Sequence, residues 1–199
     1  MFCLSNRLAF TSGLLINDNV RMIELSIKTP WVNQWKPDFI GTLIFVVAGS
    51  KVLLIRKKRG HGIGKVNGPG GKLEDGETLK TCAIRELFEE TGLVVKDAQC
   101  RAELRFVEQK GPQWLGFVYI AEADACSDTI HQTPEADPFW SEIDQIPYHQ
   151  MWPDDEIWLP AVLAKRDDSH ILVYDFLLRG DELIDHQLQR NKTSSLMVD

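Results

Sequence analysis

Three glutamates, Glu86, Glu89 and Glu90, are spaced closely enough to share a divalent cation. In a helix, residues three and four positions apart lie on the same face, so this spacing gathers the three carboxylates into one patch. Like charges at that separation repel each other. A hard cation such as Mg²⁺ relieves the repulsion, because it prefers carboxylate oxygens and shares them with substrate phosphates. The cluster therefore indicates metal-assisted chemistry on a phosphate compound.

The segment that carries these glutamates is predicted to be a helix from Leu79 to Thr91. Its apolar residues recur at intervals of three and four, which is typical of a helix with one buried face. These residues are Leu79, Cys82, Ala83, Leu87 and Phe88. The glutamates are expected on the other face. Gly92 follows the last turn, where a left-handed C-cap is expected.

The spacing around this helix is more specific than the glutamates alone. Gly71 is followed after five residues by Glu77, and after seven more by the run from Arg85 to Leu93, RELFEETGL. This pattern resembles the Nudix box at every defining position. An acidic, solvated helix face is the ordinary interpretation of a glutamate cluster, but here it would have to match the other positions by chance.

The resemblance to the Nudix family implies an enzyme that hydrolyses a nucleoside diphosphate linked to another group. Metal ions suit this reaction, because they neutralise phosphate charge that repels hydroxide and can activate a water. The resemblance implies Mg²⁺, with Mn²⁺ as an alternative. Arg85, eight residues after Glu77, matches a clamp that holds the loop and aims the glutamates, and the catalytic base is a property of the glutamate cluster as a whole. The matching metal ligands are the carboxylates of Glu86, Glu89 and Glu90 and the carbonyl of Gly71.

The flanking sequence, over about residues 40 to 190, resembles the MutT-type oxidised-purine nucleoside triphosphatases of animals. It implies hydrolysis of substrates such as 8-oxo-dGTP or 2-oxo-dATP to the monophosphate and pyrophosphate. The similarity is carried by Lys57-Lys58-Arg59-Gly60, Asn67-Gly68, Asp144 to Pro147, and Met151 to Asp155. The implied base-binding residues are Thr42, Asn67, Trp152, Asp154 and Asp155. Lys57, in the Lys-Lys-Arg run, is a candidate contact for the triphosphate.

The adjacent aspartates have a physical rationale as base-binding groups. Asp154 and Asp155 raise each other's proton affinity when they are partly buried, so one can donate a hydrogen bond while the other accepts. Trp152 offers a stacking face for a base, worth about 1–3 kcal/mol in comparable sites. In the structural alternative, Trp152 belongs to the core and the two aspartates cap the following helix.

Two positions depart from the pattern of the animal enzymes. His61 and Val66 stand where that branch commonly has Phe and Trp, so we expect an opened or reshaped base pocket. Many Nudix enzymes also supply a further glutamate after the box. Glu135 is the candidate here, and a surface position is an equal alternative.

Other functions remain compatible with the box. A Nudix hydrolase of ADP-ribose, a dinucleotide polyphosphate or an undamaged nucleotide would keep the same glutamates. A nucleotide-binding module without catalysis is disfavoured, because such a module would be expected to lose a box glutamate. A substrate panel separates these alternatives.

Composition limits the partners and the compartment. The net charge of −7 argues against a nucleic-acid polymer as partner, since such binding surfaces are basic. The chain contains no apolar run of the roughly 18 residues that a membrane span needs, and no unbroken apolar core of a signal peptide near its start. Cys3, Cys82, Cys100 and Cys126 form no C-x-x-C pair, which favours reduced thiols in the cytoplasm.

The domain organisation is predicted to be simple. Residues 1–38 form an N-terminal extension, residues 39–190 the catalytic domain, and residues 191–199 a polar tail. Strands alternate with two helices, which predicts an α+β fold with a mixed sheet sandwiched between helices. The second helix is expected to reach about Lys165, with Pro160 limiting where it begins. Strands are predicted at residues 40–48, 52–55, 100–108, 114–121, 139–143 and 170–178, with a last strand or turn at 182–189.

Overall fold

A computed structural model describes residues 35–123, 129–164 and 171–189. The expectations for the polar tail and for nearly all of the N-terminal extension lie outside these residues. The helices are α1 (Leu79–Thr91) and α2 (Asp155–Leu163). The strands are β1 (Phe39–Ala48), β2 (Lys51–Lys57), β3 (Val66–Asn67), β4 (Gly70–Lys72), β5 (Gln99–Glu108), β6 (Trp114–Glu122), β7 (Ala136–Glu142), β8 (Leu172–Arg179) and β9 (Glu182–Gln189).

All of these strands belong to one mixed sheet. The order β3-β2-β1-β6-β5-β8-β9 is extended by β4, which pairs with β1, and by β7, which pairs with β2. The β1–β6 and β5–β8 pairs are parallel, and the others are antiparallel. One face of β1 sends Phe45 into the core under α2, and the other sends Ile44 and Val46 into the core under α1. The predicted α+β sandwich is therefore confirmed.

Helix α1 has the predicted bounds and the predicted C-cap, and its N-cap is Thr78. The Thr78 hydroxyl accepts a hydrogen bond from the Thr81 N–H, and Gly92 has a left-handed conformation with a φ of 75°. Two residues lie on the opposite face to that expected, since Phe88 is 56% exposed whereas Glu90 is 1% exposed. At about 100° per residue, Phe88 lies opposite Leu79 and Glu90 lies almost in line with it. The burial of Glu90 brings it towards the sheet.

The elements after α1 differ from the predictions at their ends. Strand β7 begins three residues earlier than expected, because it pairs with β2 along its whole length, from Ala136 to Glu142. The expectation for Pro160 is wrong, since α2 begins five residues before it, at Asp155. Two 3₁₀ turns, Ile143–Gln145 and Tyr148–Gln150, connect β7 to this region. Residues 182–189 form a strand.

Within the described ranges, no helix has both the length and the apolar composition needed to cross a membrane. The described cysteines, Cys82 and Cys100, are free thiols.

Candidate active site

Arg85 ties α1 to the loop that precedes it. Its Nε donates to Glu77 Oε1 at 2.8 Å, and its Nη2 donates to Glu77 Oε2 at 3.0 Å and to the Lys72 carbonyl at 3.3 Å. These hydrogen bonds lower the pKa of Glu77, because they stabilise its charged form. The structure therefore brings Arg85 and Glu77 together.

The same guanidinium holds two of the three glutamates. Arg85 Nη1 donates to Glu86 Oε1 at 2.8 Å and to Glu89 Oε2 at 3.2 Å. Burial raises the pKa of Glu86, while the hydrogen bond from Arg85 opposes that shift. Arg85 thus fixes the orientation of both carboxylates.

Glu90 is held by different partners. Its Oε1 accepts from Lys57 Nζ at 3.0 Å, and its Oε2 accepts from the Gly70 N–H at 2.9 Å. Both contacts are buried or partly buried, so they connect α1 firmly to β2 and β4. Lys57 was predicted to contact a triphosphate. In the structure it is the ion-pair partner of Glu90.

The rest of the basic run is also paired with carboxylates. Lys58 forms an ion pair with Asp137 and donates to the Thr133 carbonyl at 3.0 Å. Arg59 forms an ion pair with Glu135. Glu135, the candidate for a further glutamate, is thus placed against a cation in the segment before β7.

The two aspartates are buried at the beginning of α2, with Asp154 5% and Asp155 2% exposed. Asp154 Oδ2 accepts a hydrogen bond from Trp158 Nε1 at 3.0 Å, and Asp155 Oδ2 accepts one from the Trp152 backbone N–H at 2.9 Å. Neither interaction caps the helix, and Asp154, at the N-cap position, makes no side-chain cap hydrogen bond. The helix-capping alternative is therefore wrong.

Burial changes the acidity of this pair. It raises the pKa of Asp154 to about 6 and raises the pKa of Asp155 well above its ordinary value. The negative charge of Asp154 is the next cause of the shift at Asp155. The pair therefore retains a proton at pH values where an exposed aspartate is ionised.

A cavity of about 800 Å³ reaches from the aspartates to the strand beside α1. Gly70 and Gly71 connect it to the box, since Gly70 bonds Glu90 and a Cβ on Gly71 would lie 2.1 Å from Glu86 Oε1. The Thr42 hydroxyl is turned towards Cys82, to which it donates at 3.3 Å. The predicted residues that line the cavity are Thr42, Lys57, Asn67, Gly71, Trp152, Asp154 and Asp155.

Comparison with known proteins agrees with this arrangement. The model of the NUDIX domain matches residues 37–162, which is more than half of the chain. The chain belongs to the Nudix family.

Two animal proteins are similar to this chain over most of the Nudix domain. The chain is 41% identical over 147 residues to the oxidized purine nucleoside triphosphate hydrolase of Danio rerio, covering 74% of this chain and 92% of that protein. It is 41% identical over 125 residues to the Mus musculus protein of the same name, covering 63% and 80%. The crystal structure of a mutator MutT protein from Bacillus halodurans aligns with a TM-score of 0.64 and 27% identity, covering 77% and 99%.

The Nudix metal ligands suit a hard cation in chemistry but are not preassembled. Across the described residues, no three acidic, His or Cys side chains converge as a metal site. Arg85 and Lys57 hold the carboxylates instead, so a cation would have to replace Arg85 Nη1 and Lys57 Nζ as their partner. The donors are all oxygens, and the absence of a side chain at Gly71 lets the Glu86 carboxylate reach the strand. These residues therefore fit Mg²⁺ or Mn²⁺.

The Nudix resemblance did not identify every residue of the cavity. Trp114 and Phe106 line it, and Trp158 holds Asp154 from one helical turn away. The tryptophan four residues after Asp154 was a usable signal, but the position of Trp114 depends on the pairing of β6 with β1. His61 and Val66, which differ from the residues common in the animal enzymes, lie in different environments. The Val66 side chain is fully buried, whereas the His61 ring stacks on Trp152.

Proposed function

We propose that the chain hydrolyses oxidised purine nucleoside triphosphates to the monophosphate and pyrophosphate, with Mg²⁺ as cofactor. The observation that carries this proposal is the buried pair of Asp154 and Asp155, at one end of a cavity whose other end is lined by Gly70 and Gly71, on the strand beside the Nudix helix. The similarity to the zebrafish and mouse enzymes supports the same substrate class.

The aspartate pair suits an altered purine edge. A protonated carboxyl group donates a hydrogen bond while its ionised neighbour accepts one, and Asn67 offers both kinds of group. Trp152 beside them presents an indole face on which a base can stack. Oxidation changes the donor and acceptor pattern of a purine, so this set of groups distinguishes oxidised bases from ordinary ones.

The Nudix helix would carry out the hydrolysis. A bound Mg²⁺ would neutralise phosphate charge and activate a water. Glu86, Glu89 and Glu90 would hold it, together with the carbonyl of Gly71. Arg85 would stay bound to Glu77 and keep the preceding loop against the helix, while Lys57, once released from Glu90, would contact the phosphates.

The proposal is tested by a hydrolysis panel in Mg²⁺, Mn²⁺ and no metal, with Glu89→Gln as the blank. The panel contains 8-oxo-dGTP, 2-oxo-dATP, dGTP, ATP, ADP-ribose and diadenosine polyphosphates. We expect a preference for oxidised purine triphosphates, with pyrophosphate released. Preference for ADP-ribose or a dinucleotide would keep the metal helix and refute the base assignment, and absence of turnover would favour a binding module.

The proposed compartment is the cytoplasm, because Cys82 and Cys100 are free thiols. Imaging of the tagged full-length chain tests this assignment, and accumulation in an oxidising compartment would contradict it.

A further inference from the structure

Three aromatic residues that line the cavity, Trp114, His61 and Trp152, have their rings in contact, and the ring of Phe39 adjoins that of Trp114. The centroids of Phe39 and Trp114 are 4.7 Å apart. His61 stacks on each of the two indoles, with its centroid 5.8 Å from that of Trp114 and 5.0 Å from that of Trp152. Its plane is inclined by only 18° and 14° to theirs.

Two lysines lie over the outer rings of this series. Lys72 Nζ is 3.5 Å from the centroid of Phe39 and 5.2 Å from that of Trp114, and Lys65 Nζ is 4.3 Å from that of Trp152. These are cation–π distances. Two cationic groups that suit nucleotide phosphates therefore lie beside the rings.

The three stacked rings are anchored very differently. Trp114 begins β6 and is paired with Phe39 of β1, and the backbone of Trp152 is bound by the buried Asp155. His61 instead lies in a loop outside regular structure, and its neighbours Gly60 and Gly62 have φ values of 75° and 76°. His61 belongs to neither core cluster, so displacing its imidazole would leave the core packing intact, whereas the backbones of the two indoles are held by strand pairing and by Asp155.

We propose that His61 occupies the stacking position of the substrate base, and that a purine replaces it between Trp152 and Trp114. Both indoles already stack on one planar ring, the His61 imidazole, and Asp154 lies only two residues after Trp152 in the chain. Trp114 becomes the second stacking face, and His61 becomes a specificity-determining residue that competes with the base. The choice of a purine rests on the proposed function.

Removal of the His61 ring and removal of the Trp114 ring should have opposite effects on the affinity for purine nucleotides. His61→Ala should bind purine nucleotides about three- to tenfold more tightly, because two stacking contacts no longer have to be exchanged. Trp114→Leu should bind them about tenfold more weakly, and Trp114→Phe should fall between Trp114→Leu and the wild type.

The experiment is calorimetric titration of the full chain with 8-oxo-dGMP, dGMP and dCMP. Monophosphates are used because binding is then measured without turnover. His186→Ala is the matched control, since His186 also stacks on an aromatic ring, Phe176, outside the cavity. Thermal unfolding of each variant checks the fold, and if Trp114→Leu is destabilised, the exposed-loop variant His61→Ala decides the question.

The expected result is tighter purine binding by His61→Ala, weaker purine binding by Trp114→Leu, smaller effects on dCMP and no change in His186→Ala. Weaker binding by His61→Ala, equal effects on dCMP, or no purine binding by the wild type would overturn the inference. Failure of the proposed function is distinguishable, because the expected pattern with no hydrolysis of oxidised triphosphates refutes the activity and leaves the stacking exchange standing.

Discussion

The two ends of the cavity are built in contrasting ways. The metal end lies within one continuous segment, Gly71 to Leu93, and its carboxylates are paired with Arg85 and Lys57. The base end is assembled from separate segments, and its carboxylates, Asp154 and Asp155, accept hydrogen bonds only from neutral indole and backbone groups among the described contacts. Ion pairs therefore stabilise the carboxylates of the metal end, whereas the charged forms of the carboxylates at the base end have no such partner among the described contacts.

The acidities follow this division. Hydrogen bonds from Arg85 lower the pKa of Glu77, while burial raises the pKa values of Asp154 and Asp155. Substitutions at the two ends should thus differ both in what they do to catalysis and in how their effects on stability depend on pH.

The largest effect is expected at the metal end. Glu86→Gln removes a carboxylate charge from the cation site and should lower kcat roughly 10³-fold for every nucleotide alike. Steady-state kinetics over the substrate panel measure this. Glu122→Gln, an exposed change at the end of β6, is the control and should be neutral. If Glu86→Gln altered the preference between bases, the functional separation of the two ends would be wrong.

A selective effect is expected at the base end. Asp154→Asn keeps an oxygen that can accept from Trp158 but removes the ionisable group, so the preference for oxidised over ordinary purines should fall about 10- to 100-fold. The ratio of kcat/KM values measures the preference. Metal affinity, followed by titration, should not change. Asp144→Asn, at an exposed position, is the matched control, and unchanged selectivity in Asp154→Asn would refute the role of the pair.

The stability of the two ends should depend on pH with opposite signs. The lowered pKa of Glu77 contributes stability that is present at neutral pH and is lost as the pH falls through that pKa. Glu77→Gln should therefore cost about 1–2 kcal/mol at pH 7 and less below about pH 4.

The pKa of Asp154 is raised from 3.8 to about 6. Its contribution to stability is therefore present below the unfolded pKa and is lost as the pH rises through about 6. Asp154→Asn should gain about 2–3 kcal/mol relative to the wild type between pH 4 and pH 7. Urea unfolding at several pH values measures both variants, and parallel curves would contradict the contrast.

The smallest effect is expected at Thr42, which lines the cavity and contacts α1. Thr42→Val removes the hydroxyl that donates to Cys82 and keeps the shape of the side chain, so the free energy of unfolding should fall by about 1 kcal/mol or less. Base selectivity should not change, because the hydroxyl faces α1. A large loss of selectivity would show that Thr42 contacts the base.

The same contrast explains what the sequence could predict. The metal end is local, so periodicity located α1 and its C-cap, and the Nudix resemblance supplied the clamp role of Arg85. The bond between Lys57 and Glu90 was missed because it joins residues 33 positions apart. At the base end, family resemblance supplied Asn67, Trp152 and the aspartates, but the positions of Trp114 and of the His61 ring depend on strand pairing and loop conformation that no local pattern encodes.

The burial of Cys82 protects α1 against oxidation at this residue. Its thiol lies under Arg85 and bonds to Thr42, and burial raises its pKa to about 11. At pH 7 only roughly one such thiol in ten thousand is a thiolate, the form that peroxides attack. Oxidised nucleotides arise under oxidative stress. Because its thiol stays protonated and buried, Cys82 should not be oxidised under the conditions that produce the proposed substrates.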